Sequence, residues 1–301
     1  MKSRIGLLWG VLCSIGCAAT CASANAEQVT TPSTPATTVP VRFILTFDDG
    51  PDGRESHSST ASVLDTLADN STQNGIKAVF FVQTRSRNGG ATAHGRALIE
   101  QEHTSGHVLA LHDGSTLGHP NHCKLSDAAL EQSLSDGLAD LLPVVGRSVT
   151  LIRPPYWAYN TRTLKAYAHH DLSVLLTDIS ANDGKTRGYH GSPRRRSHMA
   201  SEMERVRDRI QRDEIPAVDG AMPIVITFHD MNDYTAKHLE EYLQMIVVEA
   251  RNSGIALAAK PFYENAALLE RAAMVRASNA THRVDMVPIA WRRLRWFTGS
   301  D

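Results

Sequence analysis

The sequence predicts an α/β fold in which about seven β/α repeats build a parallel sheet with helices outside it. Three observations carry this. Strand-like apolar runs alternate with stretches of helical periodicity from residue 41 to about residue 259. The strand-like runs are short and apolar, as strands covered by helices require. The chain has 301 residues, 42% of them apolar, enough for one large domain with a sizeable core. No internal sequence repeat is apparent.

In order, Val41–Phe47 reads as the first strand, followed by a helical stretch around Ala61–Leu67. Lys77–Val82 is the second strand, then a helix near Arg96–Glu102, then a strand at His107–Leu111. Ser126 reads as the N-cap of a helix whose Leu130, Leu134, Leu138 and Leu141 share one face. Val149–Ile152, Leu172–Thr177 and Met222–Phe228 are further strands, separated by helices at Thr161–His169 and Ser201–Arg212. A helix over Ala236–Arg251 leads to a last strand near Ile255–Ala259. The stretch Asp183–Pro216, with Arg194, Arg195 and Arg196, is expected as a loop excursion, on the functional face or merely solvated. A tail helix carrying Trp291 and Trp296 is expected to pack on the barrel.

Residues 1–26 have the layout of a secretory signal peptide. Lys2 and Arg4 precede an apolar run to about Cys17, and small residues lead to a preferred cleavage after Ala26. Residues 27–40 read as a Thr/Pro-rich leader, residues 41–275 as the main domain and residues 276–301 as a C-terminal extension. The expected location is periplasmic or secreted. No other run approaches the ~18 apolar residues of a spanning helix, so no stable membrane insertion is expected. Cleavage would remove Cys13, Cys17 and Cys21, leaving Cys123 without an internal disulfide partner. With 31 basic and 32 acidic side chains the net charge is -1, which disfavours nucleic acid as a partner.

In a parallel α/β barrel, chemistry gathers where strands run into loops at their carboxyl ends. The first strand runs into Asp48-Asp49-Gly50-Pro51. Two adjacent carboxylates repel unless something positive lies between them. The third strand runs into His112, with His119 and His122 close behind, and imidazole with carboxylate is a normal ligand set for zinc and other divalent metals. The fourth ends in Arg153-Pro154-Pro155-Tyr156, where two prolines fix the backbone. Asp178 ends the fifth, with Asp183 close behind, and His229-Asp230 follows the sixth.

These five segments resemble the polysaccharide deacetylases, the NodB-homology or carbohydrate esterase family 4 enzymes. Thr46-Phe47-Asp48-Asp49-Gly50-Pro51 matches the first family motif, and Arg153-Pro154-Pro155-Tyr156 the third. The strand before His229 looks like the fifth, and Asp178 falls where the fourth places its acidic residue. Two departures stand out. His112 and His119-Pro120 are seven residues apart where the family spaces its histidines by four, and His122 is a rival ligand. Gly184 follows Asp183, where the family usually has Trp.

The resemblance implies a distorted (β/α)7 barrel that hydrolyses N-acetyl groups from an amino-sugar polymer such as peptidoglycan or a chitin-like glycan. It implies a divalent metal, zinc first, on Asp49, His112 and His119. Asp48 would be the general base, held by Arg153. The Tyr156 amide would stabilise the oxyanion. His229 would be the general acid, its pKa raised by Asp178 or, alternatively, by Asp183. Alternatives are the same site acting on another acyl or amide substrate, or an exported carbohydrate-binding protein without turnover. A phosphotransferase using the Asp pair is disfavoured by the signal peptide.

Overall fold

A computed structural model describes residues 39–183 and 194–278 of the chain. Its elements run β1 (Val41–Asp48), α1 (Ser59–Ala68), β2 (Ala78–Gln83), α2 (Ala93–Thr104), β3 (Val108–Asp113) and α3 (Asp127–Val145). Then come β4 (Leu151–Ile152), α4 (Thr161–His169), β5 (Ser173–Val174), β6 (Ile179–Ser180) and α5 (Arg194–Gln211). The last are β7 (Met222–His229), α6 (Asp233–Asn252), β8 (Leu257–Phe262) and α7 (Ala266–Arg276). The strand order is β5-β4-β3-β2-β1-β7-β6, all parallel, with β8 paired to β1 off that path. The seven strands of the path curl into a distorted (β/α)7 half-barrel.

β1 is the central strand, and its two faces feed two clusters, as the period-2 alternation of a strand dictates. Phe43, Leu45 and Phe47 join Val63 and Leu67 of α1 and Leu239, Leu243 and Ile246 of α6. Ile44 joins Val79, Phe81 and Val225 with Leu269, Ala272 and Ala273 of α7. Each of these large apolar side chains contributes about 1.5–3 kcal/mol on burial. Asp48 shares the parity of Ile44, so the alternation that seats the core also sets that carboxylate's direction.

Ser126 caps α3, accepting from the Ala129 N–H at 3.2 Å, and Gly146, at φ 75°, ends it. Three expectations need correction. The fifth strand is not Leu172–Thr177: it is cut to two residues in β5, and β6 follows with no helix between them. The helix expected at Ser201–Arg212 is present as α5 but starts at Arg194, inside the expected loop excursion, and buries Met199, Met203 and Val206 at helical spacing. Its first turn is Arg194-Arg195-Arg196, and within the helix no apolar residue precedes Met199, so the period shows only from there on. α7 was not expected, although Asn265 caps it by accepting from the Leu268 N–H at 3.0 Å. Past α7, Ser278 pairs with Val174. The expected signal peptide, most of the expected leader and the tail with Trp291 and Trp296 lie outside the described residues.

Candidate active site and metal centre

The carboxyl ends of β1, β3 and β7 and the loop after β4 open on one cleft of about 400 Å³. Asp48, Asp49, His112, His119, Tyr156 and His229 all line it. Gly50 makes the turn after β1 possible. A Cβ there would fall 2.0 Å from the Asp230 carboxylate, so no larger residue fits. Asp49 itself takes a left-handed φ of 74°, as do Tyr156 at 61° and Trp157 at 53°. Strained backbone of this kind persists where surrounding structure holds it, and Asp49, Tyr156 and Trp157 all line the cleft.

Asp48 is buried, and Arg153 donates to its Oδ1 from Nη1 at 2.8 Å. The guanidinium is itself fully buried. It donates to the Leu175 and Leu176 carbonyls and to Thr46 Oγ1, and it lies 4.1 Å over the Phe81 ring. Burial lowers the pKa of Arg153 although the Asp48 charge opposes this. Arg153 is therefore a fixed cation against one oxygen of Asp48.

Asp49 Oδ1 lies 3.1 Å from Nε2 of both His112 and His119, and those two nitrogens are 3.0 Å apart. Gln83, at the end of β2, donates to the same oxygen at 3.1 Å. Burial alone would raise the Asp49 pKa, but the hydrogen bond from His112 and the nearby imidazoles hold it well below the usual carboxylate range. Burial lowers His119, whereas the Asp49 hydrogen bond overcomes burial and raises His112.

The three residues fit a divalent cation. A carbonyl only accepts, so His112 Nδ1, 2.7 Å from the Arg153 carbonyl, carries a proton and leaves Nε2 to face the cluster. Three ligands about 2.0–2.1 Å from an ion at tetrahedral angles lie about 3.3 Å apart, close to the separations found. His122 is excluded from this cluster. It is fully buried, with Nε2 on Asp113 and Nδ1 on the Tyr167 hydroxyl.

His229 lies across the cleft, its Nε2 4.0 Å from Asp49 Oδ2. Asp183, not Asp178, is its partner: Nδ1 is 2.8 Å from Asp183 Oδ1. Burial disfavours the imidazolium, yet the Asp183 charge and hydrogen bond raise His229 to about 10. Asp178 instead pairs with Arg209 at 2.5 Å and Arg276 at 2.6 Å, and accepts from the Val225 N–H. Register explains the difference. Ile179 is level with Ile226, so Asp178 lies beside Val225, four residues short of His229 and about 13 Å below it along the strand.

Sequence reasoning missed Gln83, whose signal is a polar side chain closing an apolar strand. It also missed Thr46 and Thr235, which support Arg153 and Asp183 through their hydroxyls.

A curled (β/α)7 sheet with paired carboxylates and imidazoles at its strand ends defines a NodB-type barrel. Residues 36–175 match the family model of the polysaccharide deacetylases. A chitin deacetylase from Pestalotiopsis sp is 29% identical over 148 residues, 49% of this chain and 45% of that protein. The peptidoglycan-N-acetylglucosamine deacetylase PgdA of Listeria monocytogenes is 29% identical over 161 residues, 54% of this chain and 30% of that protein. The matches thus span less than half the length of these relatives. In fold, the chain resembles the chitin deacetylase of Colletotrichum lindemuthianum, with a TM-score of 0.54 at 20% identity over 73% of this chain and 86% of that one.

Proposed function

We propose that the chain is a metal-dependent hydrolase that removes N-acetyl groups from an amino-sugar polysaccharide, of the peptidoglycan or chitin-like class for which its relatives are named. The observation that carries this reading is the convergence of one triad and two pairs at one cleft: Asp49 with the two imidazoles, Asp48 with Arg153, and His229 with Asp183.

Asp49, His112 and His119 would hold a divalent cation, zinc being the first choice for nitrogen and oxygen donors. When bound, it supplies a Lewis acid for the amide carbonyl and lowers the pKa of a bound water. Asp48 takes the proton of the attacking water while Arg153 fixes its orientation. The water oxygen joins the acyl carbon, and the Tyr156 N–H donates to the carbonyl oxygen as negative charge develops there. His229 gives its Nε2 proton to the nitrogen as the C–N bond breaks, releasing acetate and a free amine. Asp183 keeps that imidazole charged and oriented. Asp178 takes no part and acts in the frame.

Export belongs to the same reading, with residues 1–26 as the signal. Among the described residues no helix is long and apolar enough to cross a membrane. Protein recovered from the cell exterior or periplasm should begin at Glu27 by N-terminal sequencing. The functional test is acetate release from several N-acetylated glycans with and without added Zn²⁺. Release of acetate from none of them, in metal-loaded protein, would overturn the assignment.

A further inference from the structure

The seven-residue step from His112 to His119 crosses a loop whose middle has little packing of its own. Leu117 is 68% exposed, and Gly118 takes a φ of 87°. The loop is held at its ends. A Cβ on Gly114 would fall 2.2 Å from the Ser133 carbonyl, so the chain leaves β3 pressed against α3. Asp113, fully buried, accepts through Oδ2 from the Ser115 N–H and Oγ at 3.0 and 2.7 Å. Through Oδ1 it accepts from Ser133 Oγ at 2.8 Å and from His122 Nε2 at 3.1 Å. His122 closes the far end: its Nδ1 meets the Tyr167 hydroxyl of α4 at 2.8 Å, and its carbonyl accepts from Arg162 at 2.9 Å.

We propose that Asp113 and His122 form a positioning clamp that closes the long loop and presents His119 to the metal centre, so that His122 supports metal affinity without being a ligand. This rests on the reading of Asp49, His112 and His119 as the metal site. Both imidazole nitrogens of His122 are engaged, so ligation would require breaking the clamp. A buried pair with every partner in place is rigid, and rigidity is what a ligand held only by a solvated loop lacks. Outer partners of this kind typically set metal affinity by about 10–100-fold.

The test measures Zn²⁺ affinity by competition with a chromophoric chelator, at a temperature where circular dichroism shows each protein folded. Wild type is compared with His119→Ala, His122→Leu and Tyr167→Phe. His122→Leu should weaken Zn²⁺ binding about 10–100-fold. Tyr167→Phe, which removes one hydroxyl and carries the test if His122→Leu does not fold, should weaken it about fivefold. Amide hydrogen exchange over residues 114–121 should quicken in both clamp variants. Unchanged Zn²⁺ affinity in the folded clamp variants, with binding lost in His119→Ala, would overturn the clamp and leave the metal site standing; a lower melting temperature alone would count against it equally. Wild-type affinity in His119→Ala would overturn the metal-site reading, and the clamp with it.

Discussion

His229 and Asp183 meet at two points: Asp183 Oδ1 is 2.8 Å from the imidazole Nδ1, and Oδ2 accepts from the His229 backbone N–H at 2.7 Å. The second contact fixes the carboxylate relative to the strand end, so the imidazole is oriented before any substrate arrives. Thr235 donates to the same Oδ2 at 2.5 Å, tying the pair to the first turn of α6.

Asp183→Asn should therefore shift a titration as well as slow turnover. A general acid must be protonated, and Asp183 holds His229 up to about 10. Without that charge the imidazole loses its proton at lower pH, so the alkaline limb of the kcat/KM profile should move down toward the ordinary histidine range. An alkaline limb that stays in place would reject His229 as the acid. His229→Ala should cost roughly 10²–10⁴-fold in turnover.

The two adjacent carboxylates should separate cleanly. Asp48→Asn keeps the Asp49, His112 and His119 cluster intact and should bind Zn²⁺ normally while losing most turnover. Asp49→Ala should lose both. Zinc content by elemental analysis, read beside acetate release, distinguishes them.

Zn²⁺ affinity should rise with pH. His112 Nε2 must be free of its proton to ligate, and the Asp49 hydrogen bond raises its pKa against the effect of burial. Below that pKa a proton competes with the ion, and above it the competition ends. Chelator competition at several pH values checks the sign, and a flat profile would contradict it.

Asp178→Asn should act on stability. Its carboxylate is buried against Arg276, which is also fully buried, and breaking such a pair strands a charge at a cost of about 3–5 kcal/mol. A urea midpoint lowered accordingly, with the pH profile of the folded enzyme unmoved, is expected.

Two buried groups away from the cleft should give opposite pH slopes between about pH 4.5 and 6.5. Burial depresses His107 to about 3, so the stability it contributes is present above the unfolded histidine pKa and is lost as pH falls toward 3. Burial raises Glu102 well above 4.5, so its contribution is present in acid and is lost as pH rises through the folded value. Relative to wild type, His107→Leu should lose less stability on acidification and Glu102→Gln more, by urea denaturation of metal-free protein.

What the sequence determined by itself is local chemistry at strand ends. Asp48, Asp49, Arg153 and His229 are each fixed by a short motif beside an apolar strand, so reading the strand locates the side chain. The Ser126 cap and the span of α4 were legible for the same reason. The start of α5 at Arg194 and the shortness of β4 and β5 were not, since packing against neighbouring elements rather than local pattern sets those bounds. Only tertiary structure decided between Asp178 and Asp183 and between His119 and His122. In the first case the register of β6 against β7 leaves Asp178 four residues short of the strand end. In the second, a buried carboxylate on β3 and a hydroxyl on α4 engage both nitrogens of His122, while His119 reaches Asp49. Residues three to five apart in sequence carry the same chemistry, and which one enters the site is set by contacts with elements far along the chain.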